Sequence, residues 1–353
     1  MPTFTPGDVY TNVPLTQAAI KLFQSGEGFV ARKAAPRMPV KKLSGTYYKW
    51  KQGDLNRNEM VVRGYNSPTP IAAFGKETAM FEINARSLGY NLNDWLKRAS
   101  DVAIDPSQII PQLLAYKASL SLELLFSAFA FADTTWFRVV TGVSSGAAPA
   151  RTTATGTRIH FSDANTDPIK AIREERNDIE LATGWKGDAI IFGADLFEAV
   201  AMHPLVRATL TNGSNPILRD APANESEIAR LCGVKWVGVA SAIYNTALEG
   251  ETATNSRIVP SDGMLLYRRF PAMQGEAASA VADDAGVFNP EAPCAMARAQ
   301  WEEAVGNTEG FRLRSIRDED AGPGGSQKTV CDSAHDFTLV NSKMGVLFKT
   351  MLP

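Results

Sequence analysis

Apolar and polar positions alternate along this chain with several different periods, and each period marks a different element. The longest apolar stretch follows Asp105-Pro106, an N-cap residue and a proline at the first helical position, with Asp101 just upstream. From Ser107 it carries Ile109, Ile110, Leu113, Leu114, Tyr116, Leu120, Leu124 and Leu125, and Lys117 and Glu123 are its only charged residues before Ala132. The pattern predicts a helix over about 106–131, a rod of roughly 39 Å at 1.5 Å per residue. With so little charge on its circumference, the rod is expected to be buried along much of its length. Pro111 has no N–H to donate and is expected to bend it in its first turns.

Upstream, Ser44-Gly-Thr-Tyr-Tyr-Lys-Trp-Lys has the Thr and aromatic content of a strand. A charged, turn-rich stretch from Gln52 to Pro70 follows, and Phe81, Ile83 and Ala85 then alternate with Met80, Glu82 and Asn84. Together these predict a long two-stranded excursion with little apolar content of its own, which needs another surface to lean on. Residues 1–45 are punctuated by five prolines and hold one short helical pattern, Pro14 to Gln24, with Leu15, Ala18, Ala19, Leu22 and Phe23 on one face. Such an arm cannot offset its own ordering entropy, so something outside it must hold it.

Downstream, residues 134–140 suit a strand and the Gly/Ala/Thr/Ser-rich 141–160 a loop or hairpin. A helix is predicted from Asp167-Pro168 to Thr183, stopped by Gly184, with its seven charges on a solvated or interface side. Short α/β units follow: strands at 189–192, 234–240 and 263–269, and helices at 195–202 and 225–231. Strand-like runs at 311–314, 337–340 and 346–348 close the chain. No internal repeat is present.

Composition narrows the function. The chain has 353 residues, 36 basic and 38 acidic, for a formal charge of −2, which excludes a dedicated polycation for nucleic acid. The arm alone is basic through Lys21, Arg32, Lys33, Arg37, Lys41 and Lys42. Cys232, Cys294 and Cys331 are too scattered for a disulfide framework and fit a reducing compartment. No stretch reads as about 18 consecutive apolar residues, and the first residues lack a signal-peptide plan.

Catalytic patterns are incomplete. Gly142-Val-Ser144-Ser-Gly146 matches a nucleophile elbow after a strand-like run, but a loop follows where the elbow needs a helix. Gly322-Pro-Gly-Gly-Ser-Gln-Lys328-Thr329 has Gln327 where a phosphate loop needs its last glycine, and reads as a hairpin turn. Gly26-Glu-Gly28 lacks the strand that leads a dinucleotide fingerprint. His160, His203 and His335 have no partner at metal-ligand spacing, and His203 before Pro204 is expected to end a helix. Asp94, Asp101 and Asp105 are spaced as turn and cap residues. Catalytic, cofactor and metal sites are therefore all expected to be absent.

The most specific stretches are Asn93-Asp94-Trp-Leu-Lys-Arg98-Ala99-Ser100-Asp101 with Ile104-Asp105-Pro106 and the helix carrying Glu123, then Pro36-Arg-Met-Pro39-Val40 through Tyr47, and Gly53-Asp54-Leu-Asn-Arg57. Gly187-Asp-Ala-Ile-Ile-Phe, His203-Pro204 and Leu231-Cys-Gly233-Val234 join them. In these residues and in the order of parts, nearly the whole chain resembles the major capsid protein of tailed double-stranded DNA bacteriophages.

The resemblance implies an α+β fold with an N-arm (1–45), an extended two-stranded E-loop (46–90), a peripheral P-domain (91–187 and 295–353) built on a spine helix, and an axial A-domain (188–294). It implies an icosahedral shell of homo-pentamers and homo-hexamers around the phage genome, assembled in the bacterial host cytoplasm and retained in the virion. Scaffolding, portal and cement proteins are the implied partners, with non-specific DNA contact and no membrane. The residues expected at subunit interfaces are Tyr47, Trp50, Arg57, Arg63 and Tyr65 of the E-loop. Phe23, Arg32, Lys33, Arg37, Lys41 and Lys42 of the arm are expected at an interface or facing DNA. The competing readings are an encapsulin-like compartment of the same fold, a serine hydrolase using Ser144, and a free nucleic-acid-binding protein using the arm.

Overall fold

The computed structural model describes Gln24 and residues 26–65, 68–69, 71–73, 75–99, 106–144, 152, 154–211, 221–269, 287, 294–302, 310–319 and 324–353. The predicted helix at 14–24, apart from Gln24, the caps Asp101 and Asp105, and Phe23 lie outside these residues.

In chain order, α1 (Ala31–Ala34) and β1 (Arg37–Val40) lead to β2 (Ser44–Trp50), α2 (Gln52–Leu55), β3 (Lys76–Glu82), β4 (Ala85–Asn93) and α3 (Asp94–Ala99). The long helix α4 (Pro106–Ala130) follows, then β5 (Arg138–Val143), β6 (Thr155–Ile159) and α5 (Pro168–Thr183). Next come β7 (Ala189–Gly193), α6 (Ala194–Ala201), α7 (Pro204–Thr211), α8 (Glu225–Cys232), β8 (Trp236–Ala240), β9 (Ile243–Asn245), β10 (Asn255–Arg257) and β11 (Met264–Tyr267). The chain finishes with β12 (Met296–Trp301), β13 (Phe311–Asp318), β14 (Ser326–Leu339) and β15 (Gly345–Lys349).

A six-stranded mixed sheet, ordered β6-β5-β15-β11-β7-β8, is covered on both faces. Its strands split their side chains by the two-residue period. Ile190, Phe192, Met264, Leu266, Val346 and Phe348 meet Ile172 and Ile179 of α5, Leu196 and Val200 of α6, and Ile228 of α8. The alternate set, Ile191, Leu265, Tyr267 and Leu347, meets Leu122, Phe126 and Ala130 of α4. The caps that bracket α5 were readable in advance, and α8 has caps of the same kind. Asp167 accepts from Lys170 N–H at 3.0 Å, Asn224 and Glu227 form a capping box, and Gly184 and Gly233 stop the two helices at positive φ.

The second sheet is built on β14. Its first half lies between β4 and β13, and its second half pairs with β12, which pairs parallel with β1. Ile110 and Leu114 of α4 pack there against Leu92, Phe311 and Cys331. One helix thus spans both sheets.

Several expectations need correction. Residues 141–160 are not a hairpin, because β5 and β6 pair parallel, Val139 opposite Thr155. Gly142 sits where a Cβ would lie 1.9 Å from the Thr350 carbonyl oxygen, so the strand approaches the backbone after β15 too closely for any side chain. The charges of α5 do not all face outward, since Glu175 is fully buried. The long helix is only partly enclosed. Ile110, Leu114, Leu122, Glu123, Phe126 and Ala130 are buried, while the other described positions are half-buried or exposed. Its segment Ile109–Ala130, mean hydropathy 1.4, is long and apolar enough by length and composition to cross a membrane, although Gln112, Lys117 and Glu123 interrupt the apolar run. Here that apolar content packs against the chain's own sheets. The division at 187/188 does not coincide with a break between sheets, because β15 and β5 on one side pair within the sheet that holds β7, β8 and β11.

Candidate assembly surface

The excursion is a hairpin whose strands β2 and β3 pair antiparallel from Ser44 opposite Glu82 to Trp50 opposite Lys76. Its base leans on the body. Tyr47 is half-buried, its hydroxyl donates to the Leu339 carbonyl at 2.7 Å, and burial first, then the Cys294 thiol, raises its pKa. Trp50 ends β2, with its side chain outside the described set. Arg57 is held within the excursion by Asp54 (3.1 Å) and Glu59 (3.4 Å), and Arg63 donates to Thr69 Oγ1 at 2.8 Å. Tyr65 touches no core.

The far end of the excursion carries exposed apolar side chains within a charged, turn-rich stretch. Met60, Val61, Val62, Tyr65 and Ile71 are 70–107% exposed within twelve residues. Single exposed apolar residues are ordinary, but a run of five within twelve residues is not. The signal was present in Met60-Val-Val, a β-branched run inside the turn-rich stretch.

The arm is fastened to its own chain at four stations. Gln24 exchanges two hydrogen bonds with the Ile243 backbone and donates to the Tyr116 hydroxyl at 2.6 Å. Val30 and Ala31 donate their N–H groups to the Glu123 carboxylate. The Tyr267 hydroxyl donates to the Ala34 carbonyl at 2.9 Å, and β1 then joins β12. Val30, Ala31, Ala34 and Ala35 are at most 2% exposed. The expected outside support is therefore the chain's own body, and alanines, easily overlooked in counting a core, do the filling.

This changes the place of the basic residues. Arg32 lies over the Phe311 ring at 5.6 Å and reaches Ser119, Lys33 lies near Glu225, whose pKa burial raises while Lys33 partly offsets the rise, and Arg37 is half-buried in β1. Only Lys41 and Lys42 of the described arm cations are exposed. Pro111 is half-buried within α4, which continues through it.

The incomplete motifs resolve as structure. Ser144 is exposed after β5 on one sheet, and His335 is buried in β14 of the other, with its ring bonded to the Gly310 carbonyl. Gly324 and Gly325, both at φ +81°, turn β13 into β14. His203 lies buried between α6 and α7. All three thiols are buried, which pushes them up to about 12 for Cys232 and Cys294 and about 11 for Cys331, so they stay protonated and unreactive at neutral pH. Among the described residues no three His, Cys, Asp or Glu side chains converge as a metal site.

No family model and no curated protein matches the sequence. The fold does match. A phage-related protein from Bordetella bronchiseptica superposes with a TM-score of 0.62 at 16% identity, over 96% of this chain and 97% of that one. The capsid of cyanophage P-SCSP1u gives 0.56 at 10% identity, over 94% and 90%. The mature capsid of bacteriophage PhiM1 gives 0.56 at 9% identity, over 95% and 90%. The chain has the tailed-phage capsid fold. The match runs through both sheets, so it covers the architecture as a whole and is not confined to a shared subdomain.

Proposed function

We propose that this chain is a major capsid subunit that assembles with copies of itself into a closed shell around double-stranded DNA. The observation that carries the reading is end-to-end agreement with capsid folds. The hairpin β2–β3, the proposed E-loop, ends in five exposed apolar residues with no use in a lone subunit. Neighbouring subunits offer the surface they lack, through heterologous contacts that close around five- and six-fold axes. Tyr47 and Trp50 at the loop's base, Tyr65 at its far end, and Arg57 and Arg63 lie on the same element. Lys41 and Lys42 are the arm cations left to meet a neighbour or the genome. Pro111 is the proposed flexing point of the spine helix during shell expansion. Scaffolding, portal and cement proteins complete the proposed partners, and the host cytoplasm is the proposed place of assembly. The role is structural rather than catalytic, which agrees with Ser144 and His335 standing on different sheets.

Sedimentation velocity on the purified chain, with negative-stain imaging of the fast fraction, tests this. Closed particles of uniform diameter, or rings of five or six, are expected, with nucleic acid inside particles taken from infected or induced cells. A 38.2 kDa monomer that persists at high concentration with its phage's scaffold, and is labelled at Ser144 by a fluorophosphonate, would overturn it. Particles that contain a cargo protein in place of DNA would overturn the genome-container part alone.

A further inference from the structure

Glu123 is the one charged residue of the long helix that is fully enclosed, at 1% exposure. Its two oxygens face the arm, not solvent. Val30 N–H is 3.1 Å from each, and Ala31 N–H is 2.9 Å from Oε2. Val30 and Ala31 belong to the apolar core that also holds Leu122 and Phe126, the helix neighbours of Glu123. Among the described residues no cation pairs with it. On the arm, Arg32 is committed to Ser119 and the Phe311 ring, and Lys33 faces Glu225. On the helix, Lys117 is exposed. From the six-stranded sheet Tyr267 donates to Ala34, and from the second sheet the Arg298 charge is close enough to His335 to help lower its pKa. The site therefore holds a carboxyl group between two backbone donors and apolar carbon.

We propose that Glu123 is a one-proton latch for the N-arm: Gln24 and residues 26–40 seat most firmly on the long helix when this carboxyl is neutral, and loosen when it is charged. Two N–H donors stabilise a carboxylate, but an unpaired charge in apolar surroundings costs several kcal/mol. Burial wins over the two hydrogen bonds and pushes the carboxyl up to about 7 from an ordinary 4.5. Lifting the arm opens the site to water and returns the group toward its ordinary value. A docked state with the higher pKa binds the proton more tightly, so docking strengthens as pH falls through 7 and weakens as pH rises. Because α4 spans both sheets, the proton couples the arm to the element that joins them. This latch does not depend on the shell reading, since it acts within one chain.

Hydrogen exchange of the Val30 and Ala31 amides in the full chain, corrected for intrinsic rates, reads the latch. Between pH 6 and pH 8 protection is expected to fall about tenfold. Glu123→Gln, which keeps an acceptor and cannot ionise, is expected to hold protection constant within about twofold. His335 titrates at about 4, outside this window. Protection that is flat with pH in the native chain overturns the latch, whether or not the variant folds, as does an equal pH dependence in both proteins. Monomeric behaviour with a tenfold pH effect would keep the latch while removing the shell.

Discussion

Removing the charge of Glu175 tests the main misjudgement of the sequence reading, which placed the charges of α5 outside. Glu175 is fully buried and joins α5 to two strands. Arg138 of β5 donates through Nε to Oε2 and through Nη2 to Oε1 at 3.0 Å, and Arg158 of β6 donates to Oε1 at 2.9 Å. Deleting one partner of a buried ion pair costs about 3–5 kcal/mol, because the other charge stays buried. Here compensation lowers the figure. Arg138 keeps Asp178 at 3.4 Å and the Thr152 carbonyl at 2.5 Å, and Arg158 keeps Glu174 at 2.7 Å. Glu175→Gln is therefore expected to cost about 3 kcal/mol, the lower end of that range. The control is Glu174→Gln, whose carboxylate is about a third exposed and is expected to cost under about 1 kcal/mol. Urea unfolding of the unassembled chain measures both, and the larger effect should change little between low and high salt, since buried pairs are poorly screened. Equal losses for the two variants would refute the reasoning, because burial would then have no bearing on the worth of the pair.

Three further outcomes are expected. Phe126→Ala, which empties a fully buried site beside the Phe337 ring at 5.4 Å, should destabilise the subunit by about 3–5 kcal/mol in the same unfolding assay. Val62→Asp, at a fully exposed position, should leave unfolding unchanged within about 0.5 kcal/mol yet abolish fast-sedimenting assemblies. Burial, then Arg298, lowers the His335 pKa to about 4 from 6.5. The folded state thus binds that proton less than the unfolded state, so its contribution is present above pH 6.5 and is lost as pH falls toward 4. His335→Asn should flatten that acid-side loss of about 3 kcal/mol in unfolding measured across pH, a slope opposite in sign to that of Glu123.

What was readable in the chain had local causes. Asp167-Pro168 and Gly184 bracket α5, Ala189-Ile-Ile-Phe is a strand buried on both faces, and the spacing from Pro106 to Ala130 makes α4. These signals lie within a few residues of what they specify. Pairing between distant segments does not. Nothing near Thr155 shows that β6 runs parallel to β5, and nothing near Glu175 shows that Arg138 and Arg158 converge on it. The arm was misjudged for the same reason. Ala31, Ala34 and Ala35 look like weak core residues until Phe126 and Tyr267 close around them, because small side chains fill a tight gap that larger ones cannot enter. At the assembly surface the hairpin was legible from its strands, whereas the exposure of Met60 to Val62 depends on what the tip fails to touch.

The position of β15 bears on the order of events during synthesis. Residues 345–349 form an inner strand of the six-stranded sheet, hydrogen-bonded to β5 on one side and β11 on the other. Both core layers take residues from it, Val346 and Phe348 on one face and Leu347 on the other. Until this late segment leaves the ribosome, β5 and β11 have an empty seat between them, and neither α4 nor α5 has a finished surface to lie on. Sheets that await such distant pairing form slowly and expose unpaired edges while they wait. A growing chain is thereby kept from presenting a completed sheet, and a truncation before Gly345 leaves that sheet in two parts.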